Sequence, residues 1–551
     1  MRAELTHSLR QWGSAVPAVV ASGMLAPVGP RKAVALARSF YRYGPTPAML
    51  LAATAIRHPD KVAIIDDSGQ LTYRQLQQRA EAIAAALFAT RATAPKSMGV
   101  ICRNHRGFAE ALAAGAQLGA ELIFINTELP AAQLQAVLAR HNPDVLIYDD
   151  EYDATVERSN FAGTRVLAWC EPDSDLAALP TLDDLAARSH PKPPRVHHAV
   201  KLTLLTSGTT GLAKGVPRAI KPHAIVLLTL TAMAILRLRS TDRVLVAPPM
   251  FHGFGLLSLL GPLALGGTVI CRRRFDAATA LNDIGRHKIT VVMAVPVMLQ
   301  RLLAVPGLQD NSAARSALRV LVTGAAPISP HTILDLIDTF GPIVVNGYGS
   351  TEAGLVTIAT PTDLVAAPDT IGRSSLGVSV RILRADRIEA GPGEIGEIFV
   401  RSGLEYTGYT PDATARASTK EVIDGHVSTG DMGHFDSQRR LFIDGRADDM
   451  IVSGGENVFP GEVEDCLAAH PAIADAVVIG VADAEFGQVL NAFIVLGSNA
   501  STPSDNALKQ HVRDGLERYK VPKRFIVLDE IPRNASGKVL RASLHTPTGP
   551  T

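Results

Sequence analysis

The chain has 551 residues, 47% of them hydrophobic, with 54 Lys and Arg against 53 Asp and Glu. Such a length exceeds what one core supports, so two or more domains are expected, and the even charge balance excludes a nucleic-acid binder held by a global field. Cys102, Cys170, Cys271 and Cys466 are widely spaced with no CxxC pair, which argues against a disulfide framework or a zinc site and fits a reducing cytoplasm.

No apolar run approaches the roughly 20 residues that cross a bilayer. The opening stretch WGSAVPAVVASGMLAPVG is broken by Pro17, Gly23 and Pro27 and is not read as a signal peptide. After it, RKAVALARSFYRYG sets Ala33, Leu36, Ala37 and Phe40 at helical spacing, with Arg31, Arg38 and Arg42 elsewhere on the wheel. Two readings stay open: a helix lying on an acidic membrane, peripheral at its inner face, or one packed on its own domain. Residues 1–45 are taken as an N-terminal extension.

Beyond it, helical and strand patterns alternate. SMGVICRN, ELIFINT and DVLIYDD are short apolar strands separated by helical stretches at 107–119 and 130–140, and the alternation returns in DRVLVAPPM, GTVICRR, ITVVMAVP, LRVLVTGAA and PIVVNGYGS. Strands without polar alternation, joined through helices, predict an α/β protein whose parallel sheets are covered on both faces. From about residue 375, VRILR and GEIGEIFVR suggest a small β subdomain. A separate α+β unit follows, predicted as helix 460–470, strands 473–481 and 488–496, helix 504–519 and strand 524–528. The boundary is set near Gly445–Asp448, giving a large domain over 46–445 and a small one over 446–551.

The stretch LTLLTSGTTGLAKGVPR has the composition of an anion grip. A strand at Leu202–Leu205 delivers the hydroxyls of Thr206, Ser207, Thr209 and Thr210, the glycines Gly208, Gly211 and Gly215, and the charge of Lys214. It is not a Walker loop, which needs Gly before and Ser or Thr after the lysine, where Ala213 and Gly215 stand here. In VVNGYGSTEAG, the residues Gly347, Tyr348, Gly349, Ser350, Thr351 and Glu352 offer a ring to stack a base, a hydroxyl for phosphate and a carboxylate for magnesium. VSTGDMG places Asp431 after a turn, where a carboxylate could accept both hydroxyls of a ribose. Farther on come Arg446 beside two acids, the exposed turn Gly454–Gly455, and Lys538 in IPRNASGKVLR, where the Ser-Gly composition predicts a flexible loop.

Taken together and in this order, TSGTTGLAKG, YGSTE, STGD, GRADDMIVSGGENVFPGEVE and PRNASGKVLR resemble the adenylate-forming enzymes, the superfamily of acyl-CoA synthetases, luciferases and peptide-synthetase adenylation domains. The resemblance covers residues 48 to 543 and, in GGENVFPGEVE, looks most like the acyl- and aryl-CoA ligases. It implies ATP, Mg2+ and CoA as cofactor and co-substrates, with the 206–214 loop on the β- and γ-phosphates, Glu352 on magnesium, Thr351 on the α-phosphate, Tyr348 on adenine and Asp431 with Arg446 at the ribose. Lys538 would bridge the substrate carboxylate and the α-phosphate as charge develops. The same resemblance makes the C-terminal domain mobile, hinged at Asp448, with Gly454 and Gly455 facing the pantetheine channel. Ala213 stands where relatives often have Pro, and RAIKPH departs from the usual wording, so His223 receives no role.

By the same resemblance, His252 of APPMFHGFGL borders the acyl pocket, with Gly253, Gly255, Gly324, Ala325 and Gly347 around it. Small residues there leave room for a long apolar substrate, and no charge in these motifs would grip an ammonium group. A medium- or long-chain fatty acid is therefore expected. An aryl-CoA ligase and a fatty acyl-AMP ligase serving a carrier protein remain alternatives, and the sequence leaves monomer and homodimer both open.

Overall fold

The computed structural model describes residues 17, 19–23, 26–90, 93–171, 176, 179–195, 200–206, 214–217, 222–308, 316–350, 353–403, 420–453, 456–483, 486–497 and 500–544. The chain divides into two compact units, residues 1–322 with 403–419, and residues 323–402 with 420–551.

In the first unit, the strand Ser97–Ile101 lies between Glu121–Phe124 and Val145–Asp149, and all three run parallel. Thr164–Trp169 extends the sheet beyond Val145–Asp149, and Leu202–Thr206 extends it on the other side, both again parallel. A second sheet runs Val62–Asp66, Thr268–Ile270, Arg243–Val246 and Val291–Met293, whose last strand pairs in parallel with Val320, Leu321 and Val322. Val145–Asp149 is buried at every position, as expected of a strand covered on both faces.

The helix Arg106–Leu118 touches strands of both sheets and is buried from Gly107 to Leu118, so a helix rich in Ala and Leu serves as the layer between them. Its start is fixed by His105, whose Nδ1 accepts from the Gly107 amide at 3.1 Å and whose Nε2 then donates to buried Asp149 at 2.8 Å. The helix Tyr73–Ala89 begins at a reciprocal cap, the Gln75 amide donating to Thr72 Oγ1 at 3.2 Å and the Thr72 amide to Gln75 Oε1 at 2.8 Å.

The second unit is largely antiparallel. Val344–Ser350 and Gly354–Ala359 pair as a hairpin, and Ser379–Leu383, Gly396–Arg401 and His426–Phe435 form a sheet that Leu441–Arg446 extends. Toward the C-terminus, the long hairpin Ile473–Asp483 and Gly487–Leu496 carries Arg524–Val527 in parallel, with the helices Pro460–Ala468 and Asp505–Gly515 packed beside it.

The predicted α/β class and the strand order of the C-terminal portion match these elements. Two expectations differ. The helix expected over 504–519 stops at Gly515, because Leu516 is extended (φ −138°, ψ 165°) and Arg518–Lys520 forms only a short turn. Asp431, expected after a turn, lies inside the strand His426–Phe435, beside Gly430 at φ +78° and a register shift at Met432/Gly433. No helix among the described residues is long and apolar enough to cross a membrane.

The C-terminal core gathers Val463, Leu467, Val478, Ile494 and Val512 around the Pro460–Ala468 helix. Leu467 is fully buried there, so Leu467→Ala should cost about 2–5 kcal/mol through lost burial and the cavity left behind, read as a lower denaturation midpoint of the full-length protein.

Candidate active site

Two strands of the second unit place Asp431 and Arg446 directly opposite one another in antiparallel register. Arg446 Nη1 donates to Asp431 Oδ1 at 2.9 Å. The other carboxylate oxygen, Oδ2, accepts from the Tyr348 hydroxyl, brought in by the strand Val344–Ser350. Three positions singled out separately in the sequence, 83 and 15 residues apart, therefore share one carboxylate.

Asp431 is 8% exposed, and burial raises its pKa; the Tyr348 hydroxyl and the charges of Arg446, Lys538 and Lys420 pull it back toward the ionised form. Burial, then the neighbouring carboxylate, also raises the Tyr348 phenol, so the ring is held as a neutral donor. An acceptor-only group with its sheet-side lone pairs fixed in this way suits a diol, each of whose hydroxyls can donate to it.

Residues that carried no motif hold this arrangement. Lys420 Nζ donates to the Thr429 carbonyl at 2.9 Å, and Thr429 Oγ1 accepts from the Asp431 amide at 3.1 Å. Gly430 holds φ +78°, a left-handed conformation that favours glycine in STGD, and a Cβ there would also crowd the Lys420 Nζ at 2.8 Å and the Arg446 Nη2 at 3.3 Å. The only sequence signal for Lys420 is its place shortly before that motif.

Arg446 also forks onto Asp448, with Nε to Oδ1 at 2.8 Å and Nη2 to Oδ2 at 3.3 Å. Burial alone would raise the Asp448 carboxyl, but the Arg446 hydrogen bond and charge hold it below its ordinary value. The position proposed as hinge and the position proposed for ribose thus share a guanidinium.

Lys538 is exposed, on a turn that is pinned rather than loose as its Ser-Gly composition suggested. Asn534 Oδ1 accepts from the amides of Ser536 at 3.1 Å and Lys538 at 2.9 Å and from the Ser536 hydroxyl at 2.8 Å. Arg533 braces the same turn, donating to the Gly537 carbonyl at 3.0 Å and to Asp475 Oδ2 at 2.8 Å. The backbone beneath Lys538 is therefore fixed within its turn. The signal was present in PRNASG, since Asn before Ser-Gly favours an Asx turn.

In the first unit, His252 precedes the helix Gly253–Leu265, its ring 4.5 Å from that of Phe251. The loop before it is clamped by buried Asn104, whose side chain donates to the Pro248 carbonyl at 2.9 Å and accepts from the Met250 amide at 2.8 Å. Gly255 has a packing reason of its own: a Cβ would lie 2.0 Å from the Pro249 carbonyl oxygen, whereas one on Gly253 would meet only Leu204 at 3.6 Å. In the second unit, a Cβ on Gly324 would lie 2.4 Å from the Gly347 oxygen, and one on Gly349 2.3 Å from the Gly354 oxygen. Ala325 follows at φ +68°, a left-handed conformation that costs a non-glycine residue on the order of 1 kcal/mol.

For the loop expected to hold phosphate, the structure gives the flanking strands. Leu202–Thr206 returns antiparallel through Lys214–Pro217, a strand the sequence did not suggest, with Thr206 the register partner of Lys214. Ser207, Gly208, Thr209 and Thr210 lie outside the described residues, as do Thr351, Glu352, Gly454 and Gly455. Nothing further is described for the side chains of Thr206, Lys214 and Ser350.

A two-part α/β chain with a buried carboxylate shared by Tyr348 and Arg446 and a lysine-bearing C-terminal turn is what this geometry defines. Residues 51–410 match the family model of AMP-binding enzymes and residues 462–538 that of the AMP-binding enzyme C-terminal domain, so the chain belongs to the adenylate-forming AMP-binding enzymes. It is 32% identical over 486 residues to the indoleacetate–CoA ligase of Aromatoleum aromaticum, covering 87% of this chain and 94% of that protein. It is 30% identical over 504 residues to a fatty acid–[acyl-carrier-protein] ligase of Streptomyces coeruleorubidus, covering 89% and 94%. Among solved structures, the o-succinylbenzoate CoA synthetase of Bacillus subtilis bound to its acyl-adenylate superposes with a TM-score of 0.76 at 27% identity, over 90% of this chain and 97% of that one.

The geometry makes one titration testable. A hydroxyl that donates to a carboxylate favours its ionised form, so Tyr348→Phe should move the Asp431 titration to still higher pH, as followed by NMR of carboxyl-labelled protein. The linked stability has a definite sign. With the folded pKa above the unfolded one, ionised Asp431 costs nothing below the unfolded value and weakens the fold as pH rises through the folded value.

Proposed function

We propose that the chain activates an apolar carboxylic acid with ATP to an acyl-adenylate and pyrophosphate, then transfers the acyl group to CoA, releasing AMP. The substrate in this reading is a medium- or long-chain fatty acid. The observation that carries it is the convergence on buried Asp431 of Tyr348, Arg446 and the charge of Lys538. This grouping supports a ribose at Asp431 with adenine against Tyr348, and a phosphate within reach of Lys538.

In the first half-reaction, a substrate carboxylate oxygen attacks the α-phosphorus and the bond to pyrophosphate breaks. Lys538 donates to the oxygens where negative charge builds. Thr206, Ser207, Gly208, Thr209, Thr210 and Lys214 are proposed for the leaving phosphates, and Thr351 for the α-phosphate. Magnesium, with Glu352 as its proposed ligand, would neutralise phosphate charge when bound.

The second half-reaction forms a thioester, and the thiol must reach the carbonyl carbon that Lys538 attends in the first. A swing of the body over 446–551 about Asp448 clears that path and turns Gly454–Gly455 toward the pantetheine. The pinned turn at Asn534–Lys538 supports a rigid swing, because it leaves the backbone under the lysine little freedom of its own.

An aryl-acid substrate is the second reading, favoured by the similarity to the indoleacetate–CoA ligase. Transfer to a carrier protein is favoured by the similarity to the fatty acid–[acyl-carrier-protein] ligase. Pyrophosphate release and thioester formation across a panel of fatty and aryl acids, with and without CoA, separate these readings. Pyrophosphate release with no acid in the panel would overturn the activity itself.

Two variants test the roles. Lys538→Ala should lower adenylation on the order of 100-fold or more while sparing thioester formation from supplied acyl-adenylate; equal losses in both steps would refute the role. Asp448→Pro should let adenylate accumulate and slow its conversion to thioester, since a fixed φ restricts the rotation, and an unchanged second step would move the hinge elsewhere.

A further inference from the structure

The helix Pro30–Tyr43 packs with one face and shows solvent an apolar stripe on the other. Tyr43 is buried against Ala48, Ala52 and Ala116, while Val34, Phe40 and Tyr41 are 51%, 58% and 67% exposed. At 100° per residue, Ala33, Phe40, Ala37, Tyr41 and Val34 fall within one arc of about 120°, and Arg38 and Arg31 follow along one edge. Water-facing helices normally carry polar residues on that arc, so the pattern is inverted.

Charge surrounds the stripe. The helix has no acidic residue, and from Ala26 to Lys61 the basic residues Arg31, Lys32, Arg38, Arg42, Arg57 and Lys61 meet only Asp60, which Arg74 holds at 2.9 Å. Arg195 lies 3.8 Å over the Tyr41 ring. At the amino end of the helix, Arg31, Lys32, Arg57 and His58 line a recess of about 540 Å³. Arg57 is fixed there by hydrogen bonds to the Gly23 and Ala26 carbonyls at 3.0 and 2.8 Å, and Lys32 by one to the Arg57 carbonyl at 2.9 Å.

We propose that this face of Pro30–Tyr43 docks on the surface of an anionic bilayer, with Val34, Phe40 and Tyr41 entering the headgroup boundary and Arg31 and Arg38 meeting lipid phosphates. A helix of 14 residues is roughly 21 Å long, too short to span a membrane and suited to lying in its plane. An isologous contact with a second copy would bring the same arginines face to face, whereas lipid phosphates complement them. The surface uses no residue assigned to adenylation, so it stands or falls apart from the choice of acid.

Co-sedimentation of the full-length protein with phosphatidylcholine vesicles, with and without phosphatidylglycerol, tests this. Binding is expected only with phosphatidylglycerol present and should weaken with salt. Arg31→Gln with Arg38→Gln should lower partitioning roughly 25-fold, about fivefold for each charge removed. Val34→Ser with Phe40→Ser should lower it on the order of tenfold or more, while all variants keep full activity on a water-soluble acid. Failure of the intact protein to bind, or equal binding by the variants, overturns the proposal. So does a concentration-dependent dimer that Phe40→Ser dissociates, which would give the stripe to a second copy.

Discussion

Asp431 is a carboxylate taken out of water, and groups from several parts of the second unit bear on its charge. Removing the group from water favours its neutral form, and neither a single hydrogen bond nor a single distant charge offsets this fully. The fold supplies several partners from separate segments: the Tyr348 hydroxyl, the cross-strand guanidinium of Arg446 and the ammonium groups of Lys420 and Lys538. Gly430 leaves room for two of these cations, and Thr429 ties the backbone of the carboxylate to the sheet. A bulged antiparallel strand is well suited to this, because the extra residue re-aims a side chain without breaking the ladder.

Lys538 shows a different division of labour. Its turn is held by the Asn534 side chain and by Arg533, which in turn grips Asp475 on the long hairpin. An exposed lysine otherwise loses most of its positional precision to side-chain freedom, so fixing the backbone beneath it reduces what must be ordered when charge develops. On the proposed swing, the domain would provide reach and the turn would provide aim.

Much of this was legible in the sequence, for identifiable reasons. Apolar runs such as VLIYD announce strands buried on both faces, and VVNGYGSTE and STGD mark where polar groups leave a sheet. Chain order alone could not show that Tyr348 and Asp431 share a hydrogen bond, since it depends on two strands 83 residues apart. Asn104, Lys420 and Asn534 escaped notice because single polar residues carry no periodic signal, and their work is to satisfy backbone groups. Gly255 was legible as small but misleading as to cause: the carbonyl of Pro249 demands it, whatever the pocket requires. The pinned turn at Lys538 was hidden by composition, because Ser and Gly read as looseness until the side chain of Asn534 is counted.

The fork from Arg446 to Asp448 bears on the hinge proposed at Asp448. Arg446 is 42% exposed and Asp448 56%, and an ion pair so open to water contributes only about 0–1 kcal/mol. A contact of that strength lies close to thermal energy, so on the proposal that Asp448 is the hinge, this ion pair would add little to the barrier for rotation.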